Sequence, residues 1–128
     1  MKDIILLGST GSVGKNVLDV VSRYPGRFRV KALSTYRNIN GILEQAVRFH
    51  PQVIACADEE LLPELKKRAP QGIRVLAGPR AVEKLASEEK ADIVFMAISG
   101  TASLVPLMGA VKNGRTVALA SKEPIVSA

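Results

Sequence analysis

The sequence predicts an α/β fold, a doubly wound and mainly parallel sheet with helices on both faces. Apolar strand-like runs alternate with helical ones along all 128 residues, the pattern left by parallel strands joined through right-handed crossovers. The first run, Ile4-Ile5-Leu6-Leu7, breaks at once into Gly8-Ser9-Thr10-Gly11-Ser12-Val13-Gly14 and then an amphipathic helix. Such a turn aims backbone N–H groups and a helix N-terminus at one point, where a pyrophosphate can replace water.

Strands are expected near residues 3–7, 28–34, 52–56, 73–76, 92–98 and 115–120. The first is uniformly apolar, as a strand covered on both faces must be. Residues 12–24 carry Val13, Val17, Leu18, Val20 and Val21 at helical spacing and stop before Pro25-Gly26. The next helix runs from Asn38, its N-cap, to about His50, with Ile39, Ile42, Leu43, Ala46 and Val47 as its apolar face. His50 closes it just before Pro51, a position that suits the helix dipole. Residues 58–69 form a third helix capped by Asp58; its acidic start and basic end match the macrodipole, and its charges read as a solvated face. A short fourth helix spans 79–89. A fifth spans 101–113 and is closed by Gly114.

Length and composition fit one domain over residues 1–128, with 47% hydrophobic and 23% charged residues. The net charge of +6 is spread along the chain without aromatic stacking platforms, so no nucleic-acid partner is expected. No apolar run is long enough to span a bilayer and no targeting segment precedes the first strand, so no membrane partner and a cytoplasmic setting are expected. Cys56, in the run Val53-Ile54-Ala55-Cys56-Ala57, reads as a small buried hydrophobe. No cluster with metal-ligand spacing is present.

Three constellations carry chemistry. The glycine turn is spaced G-x-x-G-x-x-G, one residue longer than the usual Rossmann fingerprint. In Rossmann-like folds the first glycine allows the tight turn, the next lets backbone approach the pyrophosphate, and the last permits close helix–strand packing. The plainer alternative is three glycines that only serve a strand-to-helix turn. Gly14-Lys15 has the GK of a Walker A loop, but Ser9 stands where a glycine is required and Asn16 where a magnesium-binding Ser or Thr is required. At the end of the second strand the chain reads Leu33-Ser34-Thr35-Tyr36-Arg37-Asn38. No carboxylate is there to hold a ribose 2′-OH; Arg37 offers a permanently charged fork, and Ser34, Thr35 and Asn38 offer donors, a set that favours NADP(H) over NAD(H). The plainer alternative leaves Arg37 exposed and Asn38 as a cap. The third constellation, Ser121-Lys122-Glu123, follows the last strand and so falls on the same rim, either against cofactor and substrate or as a solvated pair opening a helix. Ser99-Gly100-Thr101 reads as a turn and N-cap on that rim.

Gly8–Gly14 as GSTGSVG, Ala32-Leu33 followed by Arg37-Asn38, and Ala120-Ser121-Lys122-Glu123 together resemble the N-terminal domain of the 1-deoxy-D-xylulose 5-phosphate reductoisomerase family. Leu18-Asp19-Val20-Val21 and Phe28-Arg29-Val30 extend the resemblance over the whole chain. It implies an NADP-dependent oxidoreductase of the non-mevalonate isoprenoid pathway. That enzyme isomerises and reduces 1-deoxy-D-xylulose 5-phosphate to 2-C-methyl-D-erythritol 4-phosphate with NADPH and a divalent cation (Mg²⁺, Mn²⁺ or Co²⁺), as a homodimer. Metal-assisted rearrangement to an aldehyde precedes its reduction by hydride. Carried over by position, Thr10, Gly11, Ser12 and Val13 bind NADPH at the turn, Arg37 and Asn38 hold its 2′-phosphate end, Ser121 and Glu123 also contact it, and Lys122 reaches the sugar phosphate.

The family usually has Gly at Tyr36, Asn at Ser121 and Ser at Pro124. Tyr36 is placed to stack on the adenine or to narrow its pocket. Family members continue into a catalytic domain with the metal-binding carboxylates and a C-terminal helical domain, so the chain is expected to be a cofactor-binding fragment, inactive alone. Asp58, Glu59, Glu60 and Glu64 are not expected to replace those carboxylates, because one surface helix carries them away from the rim. Two other readings remain: the cofactor domain of a homoserine dehydrogenase-like reductase, which can also end in Ala-x-Lys, and a non-catalytic nucleotide-sensing module.

Overall fold

The computed structural model describes residues 1–87, 90–98 and 116–119. In chain order the elements are β1 (Lys2–Leu7), α1 (Ser12–Ser22), β2 (Phe28–Thr35), α2 (Ile39–Phe49), β3 (Val53–Cys56), α3 (Leu62–Arg68), β4 (Arg74–Ala77), α4 (Pro79–Ser87), β5 (Ile93–Met96) and β6 (Thr116–Leu119). The strands form one six-stranded sheet in the order β4-β3-β2-β1-β5-β6. Every neighbouring pair is parallel. The chain therefore winds outward from β1 to β4, then returns past β1 to lay down β5 and β6. The strand order reverses between β1 and β5, and ligands of open α/β sheets bind outside the carboxyl ends of the strands at such a point.

Alternation along β1 explains why both faces are covered. Ile4 and Leu6 pack with Leu18 and Val21 of α1, Ile42, Leu43 and Ala46 of α2, and Leu65 of α3. Ile5 and Leu7 pack on the other face with Ala81, Val82, Leu85 and Ala86 of α4. Ile4, Ile5, Leu6 and Leu7 are all fully buried, each contributing about 1.5–3 kcal/mol by leaving water. Between Ile4 and Ile5 the register slips: Ile4 faces Val30 and Ile5 faces Ala32, so Lys31 is an extra residue in β2. The bulge brings Val30 and Leu33, three apart, onto the same face.

Several element ends differ from the sequence expectation by one or two residues, and three differences have a physical cause. The segment 58–69 is not one helix; a 3₁₀ turn at Glu59–Leu61 precedes α3. Pro63 lies in the first turn of α3, and its ring would collide with the carbonyl four residues back in a continuous helix. Asp58 still caps, accepting the Glu60 N–H at 3.0 Å. Val20 and Val47, expected on apolar faces, are exposed. Val20 lies two residues from Leu18, on nearly the opposite side of α1, and Val47 lies about 100° round α2 from buried Ala46. The expected helix 101–113 and Gly114 lie outside the described residues. Among the described residues no helix is long and apolar enough to cross a membrane.

His50 ends α2 in the left-handed region, φ 49° and ψ 54°, donating its N–H to the Ala46 carbonyl at 3.0 Å. Its cap role is therefore played by the backbone, in a conformation that disfavours any side chain with a Cβ. His50→Gly is expected to raise stability by about 1 kcal/mol, a shift of about 4 °C in Tm measured by thermal melting.

Candidate functional site

The chain leaves β1 through Gly8 at φ +82°, where a Cβ would lie 2.7 Å from the Ala97 carbonyl oxygen just beyond β5. Only glycine closes the switch point this tightly. The Gly8 and Ser9 N–H groups both donate to the Ser34 carbonyl, at 3.1 and 2.8 Å, and Gly8 N–H also reaches Ser34 Oγ at 3.0 Å. Thr10 Oγ1 and Thr35 Oγ1 share a 2.6 Å hydrogen bond. From α2, Gln45 Nε2 donates to the Ser9 carbonyl at 2.8 Å. The turn is thus pinned from β2 and α2 before any ligand arrives.

Gly14 and Gly11 play opposite parts. A Cβ on Gly14 would meet the backbone of the turn itself, 2.7 Å from Ser9 Cα, so α1 presses directly on Gly8-Ser9. Among the described residues, a Cβ on Gly11 would find no heavy atom nearer than the Gly8 carbonyl oxygen at 4.0 Å. Gly11 is the N-cap of α1 at φ −76° and ψ 173°, offers no side-chain cap, and is followed by no acidic residue in the first turn. The N–H groups of Gly11, Ser12 and Val13 meet no acceptor among the described residues. Open donors at the positive end of a helix suit a phosphate. Lys15 stands exposed on α1.

The exit of β2 lies beside this turn. Asn38 Oδ1 accepts the Gly41 N–H at 2.9 Å, capping α2. A Cβ on Gly41 would meet Asn38 Nδ2 at 2.8 Å and Thr10 Cγ2 at 3.0 Å, so the start of α2 is held against Thr10. Tyr36 is 70% exposed. Arg37 is exposed as well, with its Nε 3.0 Å from Asp58 Oδ2. Ser34 and Thr35, expected as phosphate donors, are instead buried and engaged with Gly8 and Thr10. They fasten the turn to β2.

Asp58 does not lie away from the rim. β3 ends at Cys56 parallel to β2, with Cys56 opposite Thr35, and Asp58 N–H donates to the Tyr36 carbonyl at 3.1 Å. The carboxylate thereby arrives next to Arg37. Cys56 is buried, its thiol 3.0 Å from the same Tyr36 carbonyl. Burial pushes the thiol pKa up from its ordinary value, so the group stays protonated and packs as the sequence suggested. The sequence alone does not mark Asp58 or Gln45 as neighbours of this turn and strand exit. Gln45 left one signal, a polar side chain between buried Ile42 and Ala46.

β6 ends at the same carboxyl edge, Leu119 opposite Met96. Ser121, Lys122, Glu123 and Pro124 lie outside the described residues, as do Ser99, Gly100 and Thr101. Among the described residues no three His, Cys, Asp or Glu side chains gather as a metal site.

Residues 4–128 match the profile of the family described as 1-deoxy-D-xylulose 5-phosphate reductoisomerase. The chain is 41% identical over its whole length to a Thermodesulfovibrio yellowstonii protein of that name, covering 33% of it. Its identity to a Prochlorococcus marinus relative of the same name is 42%, over 96% of this chain and 32% of the relative. The chain thus spans about a third of the length of the curated relatives it matches. Among solved structures, the Zymomonas mobilis 1-deoxy-D-xylulose 5-phosphate reductoisomerase in complex with NADPH superposes with a TM-score of 0.91 at 36% identity, over 99% of this chain and 34% of that one. A reductoisomerase structure with NADPH, fosmidomycin and magnesium gives 0.91 at 29% identity, over 98% of this chain and 31% of that one.

Proposed function

The chain belongs to the 1-deoxy-D-xylulose 5-phosphate reductoisomerase family, and on that premise we propose that its own task is to hold NADPH at the switch point. One observation supports this most strongly: the uncapped start of α1 behind Gly11, where a Cβ would meet the described residues at no closer than 4.0 Å, adjoins the Arg37-Asn38 exit of β2 through Thr10 and Gly41. The donors fit a dinucleotide. N–H groups of Thr10, Gly11, Ser12 and Val13 bind the pyrophosphate, Tyr36 covers the adenine side, and Arg37 with Asn38 takes the 2′-phosphate. Ser121 and Glu123 contact the cofactor and Lys122 the sugar phosphate.

NADPH, when bound, supplies a hydride. The chain contributes orientation: a pinned turn fixes the pyrophosphate, and a fixed pyrophosphate limits where the nicotinamide can lie. In the full-length protein this serves the isomerisation and reduction of 1-deoxy-D-xylulose 5-phosphate to 2-C-methyl-D-erythritol 4-phosphate, in a cytoplasmic homodimer. The divalent cation belongs there to residues outside this chain, and the chain alone does not turn over substrate.

Calorimetric titration of the chain with NADPH, NADH and ATP tests the reading. NADPH is expected to bind at least about tenfold more tightly than NADH. Equal affinities would remove Arg37 from the 2′-phosphate, and a response to ATP alone would overturn the reductase assignment.

A further inference from the structure

We propose that Asp58 is a positioning residue for cofactor choice: it holds Arg37 through Nε and leaves the guanidinium's two terminal amino groups for the 2′-phosphate. This rests on the reading that Arg37 meets that phosphate. The Asp58 carboxylate is itself well anchored, since Oδ1 accepts the Glu60 N–H at 3.0 Å and its side chain is only 20% exposed. Arg37, by contrast, is a long side chain 65% exposed to water, and the 3.0 Å contact from Nε to Asp58 Oδ2 is the interaction that restrains it. A free arginine must give up rotamer freedom when it closes on a phosphate, whereas one already held gives up less.

Asp58 carries a negative charge near a site for an anion, so its sign needs weighing. That charge is compensated on both oxygens, by the Glu60 N–H at the start of the 3₁₀ turn and by Arg37. Little of it is left to repel a phosphate, while the orienting contact remains. The placement is also specific to the phosphate end of the cofactor. Asp58 hangs from the exit of β3 through Tyr36, and no hydrogen bond among the described residues links it to the Gly8–Gly14 turn.

Asp58→Asn and Asp58→Ser both keep an oxygen able to cap the Glu60 N–H while losing the ion pair. Each is measured for NADPH and NADH affinity by calorimetry and for stability by urea unfolding, beside Arg37→Ala and the Arg37→Ala/Asp58→Asn double variant. The expected result is a loss of about two- to fivefold in NADPH affinity with NADH unchanged, and no further loss from Asp58→Asn once Arg37 is gone. Unchanged or tighter NADPH binding, an equal loss for NADH, or the same loss in the Arg37→Ala background would overturn the proposal. If Arg37→Ala lowers the preference for NADPH and neither Asp58 variant does, the positioning role alone fails. If Arg37→Ala leaves the preference intact, the 2′-phosphate reading fails with it.

Discussion

Gly11→Val is expected to leave the fold standing and to weaken NADPH binding about a hundredfold, the loss of one or two charge-assisted backbone contacts. The described residues leave a Cβ on Gly11 no contact nearer than 4.0 Å, and its ordinary extended backbone admits a side chain at the cost of a poorer N-cap, about 1 kcal/mol. On the proposed reading, that side chain crowds the start of α1, where the pyrophosphate is expected to bind. Gly14→Val is the opposite case. Its Cβ would press into the backbone of Gly8 and Ser9, which Ser34 and Gln45 hold in place, and the strain is expected to cost about 3 kcal/mol or more. Urea midpoints read the second effect and fluorescence titration with NADPH the first. If Gly11→Val bound NADPH normally, the pyrophosphate would lie elsewhere.

Arg37→Glu is expected to weaken NADPH about a hundredfold while changing NADH by no more than about twofold. A carboxylate at position 37 would stand beside Asp58 and face the 2′-phosphate with the wrong sign. Arg37 is exposed and its pairing with Asp58 is a surface contact, so stability should change little. Unchanged NADPH affinity relative to NADH would show that the 2′-phosphate is read by other groups.

The strand–turn–helix start was legible because its signals are local. Four consecutive apolar residues need cover on both faces, and glycines three apart declare where backbone must pass close to backbone. The structure confirms that requirement for Gly8 and Gly14 and leaves Gly11 open. What stayed hidden depends on parallel register. Asp58 follows Arg37 by a whole helix and strand, and their meeting is decided by Cys56 aligning with Thr35 across β2 and β3. Ser34 and Thr35 depart from the expected role of phosphate donors for the same reason. Their hydroxyls look available along the chain, yet the pairing of Leu7 with Ser34 points them at the turn after β1. The bulge at Lys31 likewise emerges only when β1 and β2 are paired.

The measurement that bears most directly on the NADPH site is a titration of the ¹⁵N-labelled chain with NADPH, followed residue by residue by NMR. The largest amide shifts are expected at Thr10, Gly11, Ser12 and Val13 and at Arg37 and Asn38, with NADH reproducing the first group and not the second. Shifts centred instead on the distant groove of Lys66, Pro70, Gly72 and Val75, with the turn after β1 unmoved, would contradict it.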